Sequence, residues 1–241
     1  MAAPGEYDGH DLEVLADLPR YSRMILDAFG GAVHGRVLEV GAGTGNFSAH
    51  WLPHAKEAVL VEPAGHLHDK LAQRFAHQTT VQTWHGIADT LPNAVTTGGF
   101  DCIILCNVLE HIEDDVNTVR HLASLLRPGG SLCLFVPAIP ALYGSLDKLV
   151  HHLRRYTRTS LRAAVAPSGL HIVHLHYMDM LGVLPWLMVG RVLKKKRFGQ
   201  EAGLYDRVGV PITRLVETHI KRRKWTVPVG KSLVLVARKA R

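Results

Sequence analysis

Short apolar runs alternate with amphipathic stretches along most of the chain. Five runs of strand length are rich in Val, Ile and Leu: RVLEV (36–40), AVLVE (58–62), TVQTW (80–84), FDCIILC (100–106) and SLCLFV (131–136). Between them, HLHDKLAQRF (66–75) and DDVNTVRHLASLL (114–126) have the apolar spacing of amphipathic helices. Strands that are apolar on both faces and alternate with helices predict a parallel sheet covered on both sides. The fold class is therefore a doubly wound α/β domain.

Two further strands are predicted near the C-terminus. HIVHLHY (171–177) and KSLVLVARK (231–239) are separated by about fifty residues that contain two helical segments, 181–196 and 212–223. A last strand that joins the sheet from so far along the chain suggests antiparallel pairing with an insertion.

Composition limits the class of protein. The 241 residues are 47% hydrophobic and 20% charged, which is typical of one globular domain with a full core. The three cysteines all lie in apolar runs and favour a reducing compartment, and the N-terminal segment has acids where a secretion signal needs bases. The longest apolar stretch, 180–190, is about half the ~20 residues of a spanning helix. We expect a cytoplasmic protein.

The positive charge is concentrated at the C-terminal end. Residues 1–190 hold 13 Lys and Arg against 18 Asp and Glu, whereas residues 191–241 hold 15 against 3. PWLMVGRVLKKKRF (185–198) joins an apolar body to a cationic end, which is typical of a lid or a helix that lies on anionic lipid. It is equally typical of a helix packed on the sheet, with Lys194, Lys195, Lys196 and Arg197 complementing its dipole. Both interpretations are open, and we expect no nucleic-acid partner because aromatic residues do not interleave with these charges.

A glycine-rich loop follows the first predicted strand. VLEVGAGTGNF (37–47) places Gly41, Gly43 and Gly45 between a strand and a helix, where glycine permits a tight turn and close approach to a ligand. The nicotinamide dinucleotide fingerprint G-x-G-x-x-G fits imperfectly, because its third glycine position is Asn46.

Two acids near this loop indicate the kind of ligand. Glu62 ends the second predicted strand, where a carboxylate can accept hydrogen bonds from both hydroxyls of a ribose. Glu39 lies two residues before Gly41, and a buried acid is costly there unless it is satisfied by loop amides or paired with a cation. A ligand with a positive centre is one interpretation, and a carboxylate that only braces the loop is the other.

Four motifs together resemble those of class I S-adenosylmethionine-dependent methyltransferases: VLEVGAGTGNF, LVEP, FDCIILCNVLEHIEDD and LLRPGGSLCLFVPA. The resemblance covers about residues 36–136 and continues more weakly to the last strand. It implies a Rossmann-like, mostly parallel seven-stranded sheet with an antiparallel C-terminal strand, and S-adenosyl-L-methionine as cofactor. It also implies one domain over 1–241, with an N-terminal helical cap (1–35), a cofactor-binding core (36–136) and substrate-side insertions (137–241). The acceptor is expected to be a small or lipid-like molecule, such as one of specialised metabolism.

The resemblance also implies a cofactor site. The glycines would line the methionine part, with Glu39 near its ammonium group, and Glu62 would hold the ribose. Ile87 stands where many members have the Asp that binds adenine, so contact there would be apolar and through the backbone. Asp89 either reaches the adenine or has no contact with it. Tyr21 either covers the cofactor carboxylate or only packs. The implied residues are Tyr21, Glu39, Gly41, Gly43, Gly45, Glu62, Pro63, Ile87, Ala88 and Asn107, with Cys106 beside them.

A methyl group on a sulfonium is already electrophilic, so a base is needed only if the acceptor loses a proton. His111 is a candidate general base, or else a structural residue under the following loop. LVHHLRRYT (149–157) follows the fifth strand, and many relatives have Gly-His-Tyr-Arg-Arg-Tyr there, which makes His152 a second candidate for catalysis. No metal is expected, because adjacent histidines diverge and no carboxylate pair has ligand spacing. The residues predicted to line the acceptor pocket are Tyr143, His152, Arg155 and Tyr156.

Arg154 and Arg155 have a competing structural explanation, since they could bind helix carbonyls or pair with Asp147.

The stretch CNVLEH replaces the Asn-Pro-Pro-Tyr signature of amide and exocyclic-amine methylation, and a Pro-Cys nucleophile is also missing after the fourth strand. Two alternatives to a small-molecule methyltransferase are a non-catalytic cofactor-binding or scaffold relative and a nicotinamide-dependent oxidoreductase.

Overall fold

The computed structural model describes residues 18–194, 201–223 and 225–241. Over these ranges seven strands form one sheet: β1 (Gly35–Val40), β2 (Ala55–Glu62), β3 (Val81–His85), β4 (Phe100–Cys106), β5 (Leu126–Pro137), β6 (His171–Met178) and β7 (Ser232–Arg238).

Ten α-helices occur in the same ranges: α1 (Pro19–Ala28), α2 (Ser48–Trp51), α3 (Gly65–Phe75), α4 (Asn93–Thr96), α5 (Asp115–Leu125), α6 (Ser145–Leu149), α7 (Arg158–Val165), α8 (Val183–Trp186), α9 (Glu201–Leu204) and α10 (Val210–Arg222). A π-helix continues α8 over Leu187–Val192, and another, Tyr205–Gly209, joins α9 to α10. Short 3₁₀ turns cover Leu52–His54, Ala88–Thr90, Leu109–His111, Pro140–Leu142 and Ala166–Ser168.

The strands lie in the order β3-β2-β1-β4-β5-β7-β6. Strands β1 to β5 pair in parallel, and β7 pairs antiparallel with both β5 and β6. Six strands therefore run in one direction and the C-terminal strand opposes them. This confirms the predicted fold class, including the insertion that separates β6 from β7.

Both faces of the sheet are buried because neighbouring residues of each central strand point to opposite sides. In β1, Leu38 packs into one hydrophobic cluster and Val37 into another, and both side chains are fully buried. Ile103 and Ile104 of β4 divide in the same way. The apolar runs read from the sequence are thus strands between two helical layers.

The N-terminal helix and the β6–β7 insertion are joined by polar contacts. Helix α1 begins at Pro19, whose missing N–H costs nothing at a helix start, and it buries Met24 and Ile25. The buried carboxylate of Asp206 accepts a hydrogen bond from the Tyr21 amide at 2.8 Å. The insertion therefore packs against α1. Residues 1–17 of the predicted cap and Lys195, Lys196 and Arg197 of the basic run lie outside the described residues.

Helices in the three described ranges are all too short or too polar to cross a membrane. The three cysteines form no disulfide; Cys102 and Cys133 are buried on neighbouring strands with their sulfur atoms 3.7 Å apart, and Cys106 is half-buried.

Candidate active site

The carboxyl ends of the parallel strands place the predicted motifs at one edge of the sheet. Strand β1 pairs with β2 on one side and with β4 on the other, so the chain leaves β1 at a point where the strand order reverses. A crevice at such a point is the usual ligand site of an open α/β sheet. The glycine loop, Glu62 and Asn107 all follow strands that end there.

The glycine loop is held tightly against its own protein. Gly41 and Gly45 have φ angles of 71° and 77°. A Cβ at Gly41 would lie 2.5 Å from Val108, and a Cβ at Gly45 would lie 2.4 Å from Phe75. These two glycines are thus needed for turn conformation and for packing of the loop on β4 and α3.

Glu62 is buried at the end of β2 and holds the loop. Its two carboxylate oxygens accept hydrogen bonds from the Gly43 amide at 2.8 Å and the Ala64 amide at 2.9 Å. Burial raises the pKa of Glu62, and the two amides oppose that shift. Each oxygen accepts one amide and keeps a further lone pair, so the carboxylate fits a ligand with two adjacent hydroxyl groups.

An exposed apolar side chain lies next to this carboxylate. Ile87 is 50% exposed, and the preceding Gly86 donates its amide to the Glu62 carbonyl at 3.1 Å. Ala88 is buried, whereas Pro63 is half-buried and its carbonyl lies 3.1 Å from His85 Nε2. An exposed isoleucine beside a ribose-type acceptor fits the face of a purine. Together with Glu62 it shows that the residues present fit S-adenosyl-L-methionine.

Glu39 and Asp89 have partners of their own. One oxygen of Glu39 accepts hydrogen bonds from Ser48 Oγ at 2.5 Å and from Trp51 Nε1 at 2.9 Å. Burial is the main cause that raises the pKa of Glu39 to about 7. These bonds tie β1 to α2, which is the bracing role; Asp89 is exposed and pairs with His121 at 3.4 Å.

Two predicted residues lie at the mouth of the crevice. Asn107 is exposed, with a φ of 55°, and its amide donates to the Phe135 carbonyl at 2.8 Å. The preceding Cys106 is half-buried, and desolvation raises the pKa of its thiol well above the usual range. Tyr21 packs edge-on against Phe135, with ring centroids 6.1 Å apart. Helix α1 therefore covers the end of β5, next to Asn107.

The two candidate bases meet at one carboxylate. The rings of His111 and His152 are in edge contact at 4.8 Å, and His152 Nε2 lies 3.5 Å from Glu110 Oε1. Glu110 is fully buried, and burial raises its pKa to about 8. Desolvation and His152 lower the pKa of His111 to about 4. The sequence analysis did not predict a role for Glu110. The available signal was its position directly after two apolar residues in the loop that follows β4.

The same three residues bear on the expectation of no metal. Ligand-type atoms of Glu110, His111 and His152 lie within 4.8 Å of one another. His151 is exposed while His152 turns inward, so the adjacent histidines do diverge as expected. The structure supplies a carboxylate and a second histidine from another segment, a combination that the spacing in the sequence did not reveal. Such a set has the donor types that a divalent cation uses.

Asp147 connects the predicted acceptor residues. Its Oδ1 accepts Arg155 Nε at 2.7 Å and lies 3.0 Å from His152 Nδ1, while Oδ2 accepts the Gly144 amide at 2.9 Å. These partners outweigh burial and lower the pKa of Asp147. Arg155 therefore has the structural role that the sequence left open. Tyr143 donates its hydroxyl to the His152 carbonyl at 2.7 Å and holds the same segment.

The position of Tyr156 argues against a role in the acceptor pocket. Its side chain is 2% exposed and lies in the core, and its hydroxyl donates to Asp115 at 2.7 Å. Arg154 binds the same carboxylate at 3.1 Å from the outside. Tyr156 fills the core because β5 and the 149–157 segment are joined by a bridge at this residue.

A group of aromatic and cationic side chains, which the sequence analysis did not predict, adjoins Tyr21. Lys231 Nζ lies 4.8 Å from the centre of the Tyr21 ring and 5.2 Å from that of Trp186. The Arg155 guanidinium lies 4.8 Å from the Trp186 ring. Buried Asp179 fixes Lys231 through an ion pair of 3.1 Å. These residues come from four distant segments, so no local pattern could have joined them.

Comparison with known proteins agrees with the fold and the motifs. Residues 13–175 match a family described as a methyltransferase domain. The ubiquinone biosynthesis O-methyltransferase of Xanthomonas campestris pv. campestris is 31% identical over 166 residues, which are 63% of this chain and 67% of that protein. The chain therefore belongs to the methyltransferase domain family. It is an S-adenosyl-L-methionine-dependent methyltransferase of small molecules, as the sequence predicted, and the scaffold and nicotinamide alternatives are not favoured.

Solved structures with the same fold are more distant in sequence. A methyltransferase in complex with the Trm112 activator of Haloferax volcanii is 15% identical with a TM-score of 0.66, covering 97% of this chain and 95% of that one. The N-methyltransferase NodS of Bradyrhizobium japonicum, in complex with S-adenosyl-L-homocysteine, is 14% identical with a TM-score of 0.60 and covers 98% and 95%. At these identities the likeness concerns the fold.

Proposed function

We propose that this chain methylates a hydroxyl group on an aromatic acceptor that carries an apolar side chain. The observation that carries the proposal is the environment of Glu110. Within the described chain, neither carboxylate oxygen of this buried residue has a hydrogen-bond partner. A buried polar group without a partner is costly, so it is expected to serve a function.

Accepting the proton of the methyl acceptor gives Glu110 a function. A hydroxyl acceptor must lose its proton as its oxygen bonds to the methyl group, and a carboxylate with a pKa of about 8 is a suitable proton acceptor near neutral pH. His152 lies between this carboxylate and Asp147, which orients its ring through Nδ1. Glu110 and the neighbouring His152 together take up the proton.

His111 occupies the outer side of this pair. With a pKa of about 4 its ring is neutral at physiological pH, so it places no positive charge beside the acceptor. The residue is exposed and contacts His152, which suits the transfer of the proton to solvent. We therefore assign proton uptake to Glu110 and His152, and proton release to His111.

The remaining residues bind and orient. S-adenosyl-L-methionine, when bound, supplies the methyl group on a positively charged sulfur. Glu62 and the glycine loop hold the adenosine and methionine parts at the end of β1 and β2. Asn107 lies at the end of β4, between that site and Glu110 in the chain. Because Asn107 and Glu110 both follow β4, we place the acceptor oxygen between the cofactor and Glu110, which is the alignment that transfer needs.

The aromatic group supports a ring-bearing acceptor. The Lys231 ammonium lies close to the rings of both Tyr21 and Trp186, and Tyr21 packs against Phe135 of β5. Aromatic rings and a cation together favour a flat, electron-rich or anionic ring such as a phenolate. The Xanthomonas relative is, by its name, an O-methyltransferase of ubiquinone biosynthesis. That relationship supports a lipid-like acceptor and O-methylation.

The test uses labelled S-adenosyl-L-methionine and two acceptors that differ only in the reacting group, an alkylphenol and the matching alkylaniline. We expect methyl transfer to the phenol. Glu110→Gln is expected to lower kcat by about 10²–10⁴-fold, the usual loss when a general base is removed. Binding of S-adenosylhomocysteine is expected to be unchanged by this substitution.

Glu113→Gln is the matched control, because Glu113 is a nearby acid that is exposed. Full activity of the Glu110 variant, or faster transfer to the aniline than to the phenol, would refute the proposal.

A further inference from the structure

We infer that the described part of the insertion between β6 and β7, residues 181–194, 201–223 and 225, docks on an anionic phospholipid bilayer. The first observation is its exposed apolar surface. Leu204 is 65% exposed and Leu215 is 72% exposed, although large aliphatic side chains of a folded domain are usually buried.

These apolar side chains are arranged in two stripes rather than scattered. They recur every three to four residues along each helix of the insertion, which places them on one side of that helix. The residues in the stripes are Leu184, Met188 and Val192 on α8 and its π-helical continuation, with exposed Leu193 directly after them, and Leu204, Val208, Ile212 and Leu215 from α9 to α10. Continuous exposed apolar surface of this kind marks an interaction site.

Charge identifies the partner. The described residues 181–194, 201–223 and 225 contain 7 Lys and Arg but only 3 Asp and Glu. Two of these acids are buried and used within the fold: Asp206 accepts the Tyr21 amide, and Glu217 accepts the Met180 amide at 2.9 Å. The surface of the described part of the insertion is therefore more positive than this count suggests.

A cationic cavity opens beside the second stripe. It has a volume of about 500 Å³, and among the described residues its lining includes Arg20, Arg214, His219 and Arg222. Arg214 pairs with Asp27 at 2.5 Å and Arg20 with Asp206 at 3.8 Å, so Arg222 is the lining arginine without an ion-pair partner in the described part of the chain. Leu215 lies on the same wall. Arginine side chains with an adjoining apolar wall suit a phosphate whose acyl chains continue into an apolar phase.

An anionic bilayer explains both the exposed apolar stripes and the positive charge, whereas a second copy of this chain or a nucleic acid explains only one of them. A second copy of this chain would bring two positive surfaces together, and a nucleic acid would leave the leucine stripes in water. Trp225 is 63% exposed, with Arg223 5.7 Å from its ring centre. Exposed tryptophan next to arginine is typical of the membrane–water boundary.

Flotation with vesicles tests the inference directly. The full chain is mixed with vesicles of phosphatidylcholine alone, or of phosphatidylcholine with phosphatidylglycerol, at low and at high salt. We expect flotation with the anionic vesicles at low salt only. Two variants, Leu204→Ser with Leu215→Ser and Arg222→Glu with Arg223→Glu, are each expected to weaken partitioning about tenfold or more.

Matched controls lie outside the insertion. Val173→Ser changes an exposed apolar residue of β6, and Arg162→Glu reverses an exposed charge on α7. Both are expected to float like the unaltered chain. Circular dichroism establishes that each variant is folded.

Three results would overturn the inference: no flotation with anionic vesicles, equal flotation with neutral vesicles, or a wild-type dimer that the leucine variant converts to monomer without any vesicle binding. The measurement needs no turnover, so it is independent of the proposed O-methylation. Conversely, transfer to a water-soluble phenol in the absence of vesicles tests that reaction alone.

Discussion

Replacing Glu110 with Gln is predicted to stabilise the fold by an amount that grows with pH. The folded protein raises the pKa of this carboxyl from its ordinary 4.5 to about 8, chiefly through burial. Between these values the folded state holds a proton that the unfolded chain has released. The contribution of Glu110 to stability is thus complete below pH 4.5 and is lost as the pH rises through about 8.

The size of the effect follows from the shift. Each unit corresponds to about 1.4 kcal/mol, so the loss approaches about 5 kcal/mol above the folded pKa. Glutamine has nearly the same shape and remains neutral at every pH. The free energy of unfolding of Glu110→Gln, relative to the unaltered chain, should therefore increase by about 3 kcal/mol from about pH 5.5 to about pH 7.5, and level off above about pH 8.

The assay is denaturant unfolding of both proteins at several pH values across this interval. Glu113→Gln serves as control, because this exposed acid has no buried environment to lose. Its stability curve should run parallel to that of the unaltered chain. If the Glu110→Gln curve is also parallel, Glu110 is ionised in the folded protein and both this reasoning and its role as a proton acceptor near pH 8 fail.

Three other substitutions test the site. Gly41→Ala should lower the free energy of unfolding by at least about 2 kcal/mol in denaturant titrations, because a Cβ there would meet a neighbouring valine at 2.5 Å and φ is 71°. The control is Gly203→Ala, which should leave the free energy of unfolding unchanged because no atom lies within 4 Å of the added Cβ. Glu62→Gln should weaken S-adenosylhomocysteine binding about tenfold or more in calorimetry, since a hydroxyl loses a charged acceptor, and an unchanged Kd would leave Glu62 as a loop brace only. Asp147→Asn should destabilise the protein by about 3–5 kcal/mol at neutral pH, because it leaves buried Arg155 without its counter-ion. The difference in stability from the unaltered chain should shrink in acid, as the pH falls through the lowered pKa of Asp147. A difference that stays constant across pH would contradict this prediction.

The sheet was predictable because its strands are nearly uniform in character. FDCIILC coincides with β4, and the last strand was recognised despite a long insertion. Short runs that are apolar on both faces have few alternatives to a buried β-strand, and the glycine loop fixes where the first strand ends. The observed strand boundaries differ from the predicted ones by a few residues where polar residues continue the strand pairing. One example is β5, which begins at Leu126.

The candidate site was predictable only where a residue belongs to a recognisable motif at the end of a strand. Glu62 could be identified because it ends β2 next to the glycine loop that follows β1, and its carboxylate accepts the Gly43 amide of that loop. Glu110 could not, because its burial depends on His152 and Arg155 from a segment some forty residues later. The same limitation applies to Tyr156, whose sequence neighbours line the site while its own side chain enters the core.

The aromatic group marks the limit of sequence reasoning. Lys231, which directly precedes β7, meets Tyr21 and Trp186 only because β7 inserts between β5 and β6. Nothing in the local pattern of any of these residues indicates that contact. A site assembled from so many segments becomes visible only in three dimensions.

The most direct test of the central claim is the pH dependence of methyl transfer to an alkylphenol, measured as kcat/KM for the unaltered chain and for Glu110→Gln. We predict that the unaltered chain gains activity as the pH rises through about 8, and that the variant loses both the activity and this titration. A variant that keeps the rate and the same pH profile would contradict the assignment of Glu110 as the proton acceptor.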